Sequence, residues 1–137
     1  MVSNLSKILQ DNSLVLKKGD KVIYATTRRG LRPLFDCITI EKSKFDSREC
    51  VLFDKVIGLA AARLVVYCGF IASVNALLAS KKAVELLNDS GVSIQAETVV
   101  DRILNMDKSA SCPMEQKASK FSDNEAFYAE LRKTFAS

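Results

Sequence analysis

A chain of 137 residues, 48% of them hydrophobic, fits one domain with a continuous core, so a single α/β unit over residues 1–137 with a helical C-terminal tail is expected. Its formal charge of +4 rests on Lys and Arg residues that are scattered rather than gathered into an aromatic-bearing stripe, which argues against nucleic acid as a partner. Histidine is absent, and with it go the commonest general base, the Ser-His and Cys-His pairs and most catalytic zinc sites.

The N-terminal "VSNLSKILQDNS" lacks the basic start and apolar centre of a secretion signal, and a cytoplasmic location follows as the expectation. Leu5, Ile8 and Leu9 mark it as a short amphipathic helix. Strands are expected over 13–17 and 21–25, joined by a tight hairpin at Lys18-Gly19-Asp20. "TTRRGLRPLFDCITIEK" then opens a helix, with Pro33 in its first turn and Leu31, Leu34, Phe35 and Ile38 on one face. A buried strand over 49–53 leads into a helix from about Lys55 to Tyr67, closed by Gly69. A strand over 71–79, a helix between Ser80 as N-cap and Gly91 as terminator, and a strand over 92–97 complete the alternation. "TVVDRILNM", "CPMEQKAS" and "DNEAFYAELRKTF" read as helices. Residues 64–79 are the one candidate for a membrane span, but they contain Gly69 and Asn75 and fall short of the roughly 20 residues a bilayer needs. The order of elements implies a mixed five-stranded sheet covered by helices on both faces, a three-layer α/β/α sandwich.

Three stretches carry candidate chemistry. In "FDKVIGLAAARLVVYCG", Asp54 and Lys55 fall at the expected start of a buried helix, at the carboxyl end of a strand. An Asp there can cap free N–H groups, and Lys55 beside the helix dipole adds a charge suited to phosphate or carboxylate. The same residues also fit an ordinary N-cap and a solvated lysine. In "TTRRGLRP", Arg28 and Arg29 stand beside Gly30, which lets a backbone turn sharply or approach a ligand; a basic surface turn fits equally. In "SCPMEQK", Cys112 falls at the N-cap, Pro113 at the first helical position and Glu115 at the third. A thiol aimed at helix N–H groups has a lowered pKa, which makes Cys112 the candidate nucleophile, although a structural cap reads the same way and no histidine is present to activate it. Cys37 and Cys68 belong to apolar helix faces and Cys50 begins a strand; without a CxxC pair, reduced thiols are expected.

Taken in order, the β-hairpin, "RRGLRPL", "DKVIGLAAARLVVYCG", "KKAVELLNDSGV" and "CPMEQK" resemble the uncharacterised domain-of-unknown-function family eighteen-ninety-three, from about Leu14 to Leu131. The resemblance implies a cytidine-deaminase-like fold, with a ligand pocket between the starts of the helices at "TRRGLRP" and "FDKVIGL". Neither start carries the zinc ligands or the proton-shuttling glutamate of a deaminase, so no metal and no cofactor are expected. The cationic residues Arg28, Arg29 and Lys55, with Gly30 and Asp54, suggest instead a nucleotide or another phosphorylated small molecule. An enzyme using Cys112 or Lys55, and a homo-oligomeric module packing through "EAFYAELRKTF", are the alternatives from other classes.

Overall fold

The computed structural model describes residues 2–103 and 113–136. The elements run α1 (Val2–Ile8), β1 (Leu14–Lys18), β2 (Lys21–Thr26), α2 (Arg32–Glu41), β3 (Cys50–Ile57), α3 (Leu59–Cys68), β4 (Ile71–Ser80), α4 (Lys81–Asp89), β5 (Ser93–Val100), α5 (Pro113–Ala118) and α6 (Asn124–Phe135), with a 3₁₀ turn at Lys42–Lys44 after α2. The five strands form one mixed sheet in the order β2-β1-β3-β4-β5. β1 is antiparallel to both β2 and β3, whereas β3, β4 and β5 are parallel. Helices α2, α3 and α4 therefore all start at one end of the sheet, where β2, β3 and β4 finish.

Local chemistry explains most of these elements. Gly19 turns the hairpin with φ 60° and Gly69 ends α3 in the left-handed region at φ 75°, conformations that favour a residue without Cβ. Ser80 caps α4, its hydroxyl oxygen accepting from the Ala83 N–H at 3.2 Å. Two expected boundaries move. The strand expected at 49–53 continues to Ile57, so Asp54 and Lys55 belong to β3 and the helix begins only at Leu59, after Gly58. The β-branched pair Val56-Ile57 extends the ladder to Leu78 and Ala79, and Gly58 interrupts it. Likewise Thr98, Val99 and Val100, expected to open a helix, pair with Leu78, Ala79 and Ser80 as the end of β5.

The main core lies between one sheet face and the helices. Leu14, Leu16, Leu52, Val74 and Ala76 meet Leu34 and Ile38 of α2, Ala62, Leu64 and Val65 of α3, Leu87 of α4, and Phe127 and Leu131 of α6. Leu5, Leu9 and Val15 are buried apart from that cluster, and strand alternation turns Val15 away from Leu14 and Leu16, so α1 covers the opposite face. Cys37, Cys50 and Cys68 are free buried thiols, and burial pushes Cys68 up to about 11 and Cys37 higher still. Among the described residues, no helix is long and apolar enough to cross a membrane.

The C-terminal segment folds back over α3. Tyr128 stacks on Tyr67 at 4.3 Å and on Phe35 at 5.1 Å, and its hydroxyl lies 2.6 Å from Thr39 Oγ1. The apolar side of "EAFYAELRKTF", one candidate for pairing with a second copy, is thus covered by its own chain at Phe127, Tyr128 and Leu131. Arg63, the one charge in the apolar run of α3, donates to the Ala118 carbonyl at 3.0 Å, to Asn124 Oδ1 at 2.9 Å and to the Phe121 carbonyl. One guanidinium satisfies the turn between α5 and α6. Replacing Arg63 by Met keeps the stem but strands these acceptors, and urea unfolding should show a loss of about 2–3 kcal/mol.

Candidate functional site

A helix start leaves N–H groups without intrahelical partners, and in α3 that start is packed into the protein. Glu115 of α5 resolves this. Its Oε1 accepts from the Leu59 N–H at 2.6 Å and its Oε2 from the Ala60 N–H at 2.8 Å. The carboxylate lies directly against Gly58, where a Cβ would come within 2.6 Å of Oε2 and closer to the other carboxylate atoms. Gly58 has φ −99°, which any residue adopts, so its requirement is one of space. "CPMEQK" and "DKVIGLAAA" are therefore two halves of one contact. Glu115 was read as part of its own helix cap; instead it caps a helix 55 residues earlier, a role that its acidic first-turn position in α5 did not reveal.

Asp54 and Lys55 are not the cap of α3. Asp54 sits in the central strand, in a row that runs Thr26, Leu14, Asp54, Ala76, Ala96 across the sheet. Two residues beyond the buried Leu52, it faces the helical layer. Burial pushes its carboxyl up to about 7, against the opposing pull of the Val56 and Lys55 N–H groups. Lys55 has an exposed side chain, and its own N–H donates to the Ser13 carbonyl at 3.2 Å.

Ser13 connects this strand end to the loop before α2. Its hydroxyl is shared between the carbonyls of Thr26, at 3.1 Å, and Arg28, while its carbonyl holds Lys55. The Arg28 N–H donates back to Thr26 Oγ1 at 3.1 Å. Arg28 and Arg32 both reach Asp36, at 3.2 and 3.7 Å, so two guanidinium groups share one carboxylate. Arg29 is exposed and makes no ion pair among the described residues. Gly30 adopts φ 88° with open space where a Cβ would be, so backbone conformation rather than room favours glycine there. Leu31, the N-cap of α2, offers no side-chain cap.

The two helix starts thus differ. That of α3 is closed by the chain's own carboxylate, and that of α2 is uncapped and basic. The segment Arg28–Gly30 and the end of β3 meet at one end of the sheet through Ser13, a residue the sequence did not single out; Asp54 is the neighbouring group on the helical side, and strand alternation turns the Lys55 side chain to the opposite face. Cys112 lies outside the described residues. Among the described residues no group of three His, Cys, Asp or Glu has metal-holding geometry.

Gly58→Ala should destabilise the protein by about 1–3 kcal/mol in urea unfolding, and most of that loss should vanish when it is introduced into Glu115→Ala, because the clash and the cap are one interaction. Asp54 sets a pH dependence of the opposite sense to an ion-paired acid. Its proton is held more tightly in the folded state, so its contribution is greatest below pH 3.8, declines as pH rises to about 7 and is flat beyond. Asp54→Asn should remove this slope and be more stable than wild type at pH 8 by about 1–3 kcal/mol, read as a difference in unfolding free energy between the two proteins across pH 4–8.

Comparison with known proteins shows the family and the fold of the chain. None of the curated proteins matches the chain. A crystal structure of a DUF1893 family protein, TM1506 from Thermotoga maritima, superposes with a TM-score of 0.82 at 25% identity, covering 98% of this chain and 86% of that one. Residues 4–135 match the family described as TM1506, domain of unknown function (DUF1893), and the chain belongs to that family.

Proposed function

We propose that this protein binds a small anionic, nucleotide-like molecule at the uncapped start of α2, without zinc-dependent deamination. The observation that carries the reading is the Ser13 junction, which bonds to the Arg28 carbonyl and the Lys55 N–H and so fixes the basic Arg28-Arg29 loop at the sheet end where β2 and β3 finish. Among the described residues, Asp36 is the one acid paired with Arg28 and Arg32, which leaves the loop net basic. Asp54, with its proton held to near neutrality, supplies a polar contact for the uncharged part of a ligand. The sheet order and the shared end of the α2 and α3 starts support the cytidine-deaminase-like reading of the fold. Zinc does not fit the residues at these two starts: α2 opens on Arg28-Arg29-Gly30, α3 on Gly58-Leu59-Ala60-Ala61, and Glu115 is already engaged with N–H groups.

Calorimetric titration with nucleoside mono- and diphosphates should show binding. Arg28→Ala and Arg29→Ala should each weaken it by about 1–3 kcal/mol, as the loss of a charge-assisted contact does. Binding that survives both changes intact would place the ligand elsewhere.

A further inference from the structure

A concavity of about 310 Å³ opens beyond the carboxyl ends of β4 and β5, with Leu59, Ser80, Lys82, Asp101, Arg102 and Glu115 in its lining. Open α/β sheets present ligands to this end of their parallel strands. The acids here are already engaged. Asp101 pairs with Lys81 at 2.8 Å, and that contact, with a smaller contribution from Arg102, holds its carboxyl below the usual range. Glu115 is held by the Leu59 and Ala60 N–H groups. The bases are not engaged in the same way: Lys82 and Arg102 make no ion pair or hydrogen bond among the described residues. Ser80, 2% exposed, accepts from the Ala83 N–H and keeps its hydroxyl proton to donate.

The lining therefore offers an ammonium and a hydroxyl from the start of α4 and a guanidinium from the chain just after β5, beside Gln116 and Ser119, whose hydroxyl donates to the Gln116 carbonyl. We propose that this concavity binds a phosphoryl group, as inorganic phosphate or as a small phosphomonoester, through Lys82, Arg102 and the Ser80 hydroxyl. An ammonium, a guanidinium and a hydroxyl lining one concavity offer donors for several oxygens, which suits the tetrahedral oxygens of phosphate better than the two coplanar oxygens of a carboxylate. The volume lies at the lower end of the roughly 300–1,000 Å³ of small-molecule sites, which matches a compact ligand. This site uses none of Arg28, Arg29 or Lys55, and stands independently of the α2 reading.

Calorimetry at fixed ionic strength, with inorganic phosphate, glycerol phosphate and acetate as separate titrants, tests it. Phosphate or glycerol phosphate should bind at one equivalent, and the tighter of the two identifies the free anion or the ester as the preferred source. Lys82→Met and Arg102→Ala should each weaken that binding about tenfold, while Arg28→Ala leaves it unchanged. Both positions are exposed, and melting temperatures of the ligand-free variants equal to wild type would show that any loss is one of binding. The proposal is overturned by no binding of either phosphate up to about 10 mM, by binding that both substitutions leave intact, by binding lost in Arg28→Ala, or by acetate binding as well as phosphate.

Discussion

Once the start of α3 is buried, its N–H groups cannot be left to water, and the rest of the structure is arranged around that requirement. α3 lies among α2, α4, α5 and α6 and against the sheet, so the partner for Leu59 and Ala60 has to come from the chain itself. Glu115 supplies it with a charged acceptor, and only glycine at position 58 leaves room for the carboxylate. The same contact fixes where α5 docks. Arg63, one turn into α3, fixes the turn after α5 by holding the carbonyls of Ala118 and Phe121. The C-terminal segment is thereby attached to α3 at two points, one acidic side chain reaching in and one basic side chain reaching out.

This arrangement also divides the sheet end into regions of different chemistry. A helix start already occupied by a carboxylate repels a second anion, whereas α2 begins without a side-chain cap and beside Arg28, Arg29 and Arg32. Strand pairing then decides which other groups join them. Because β1 runs antiparallel to β3, Ser13 at its beginning meets Lys55 near the end of β3, and its hydroxyl turns to the loop after β2. On the far side, the parallel strands β4 and β5 bring Ser80, Asp101 and Arg102 together. Asp54 lies between, on the core side of the central strand, where desolvation opposes its charge.

Local rules made much of this legible. The hairpin at Gly19, the Pro33 helix start, the Ser80 cap and the Gly69 and Gly91 terminators each follow from a residue whose backbone or side-chain preference acts over a few positions. The basic loop at Arg28–Gly30 was legible for the same reason. The β3–α3 boundary was not, because "DKVIGLAAA" is apolar at both periods. Nothing within the stretch says whether Val56 and Ile57 continue a ladder or begin a helix; the partner strand β4, matching them with Leu78 and Ala79, decides it. That displacement moved Asp54 and Lys55 from a helix cap into a strand.

The sequence alone determined the class of fold, the alternation of strands and helices, and the absence of histidine from any site, since each depends on composition or on short-range periodicity. Tertiary structure decided which charges are used up and which remain. Glu115 reaches Leu59 across 56 positions, Arg63 reaches Phe121 across 58, and Ser13 joins residues 15 positions ahead of it and far along β3. No local pattern encodes such pairings, because a side chain's partner is set by which elements pack together and which N–H and C=O groups that packing removes from water.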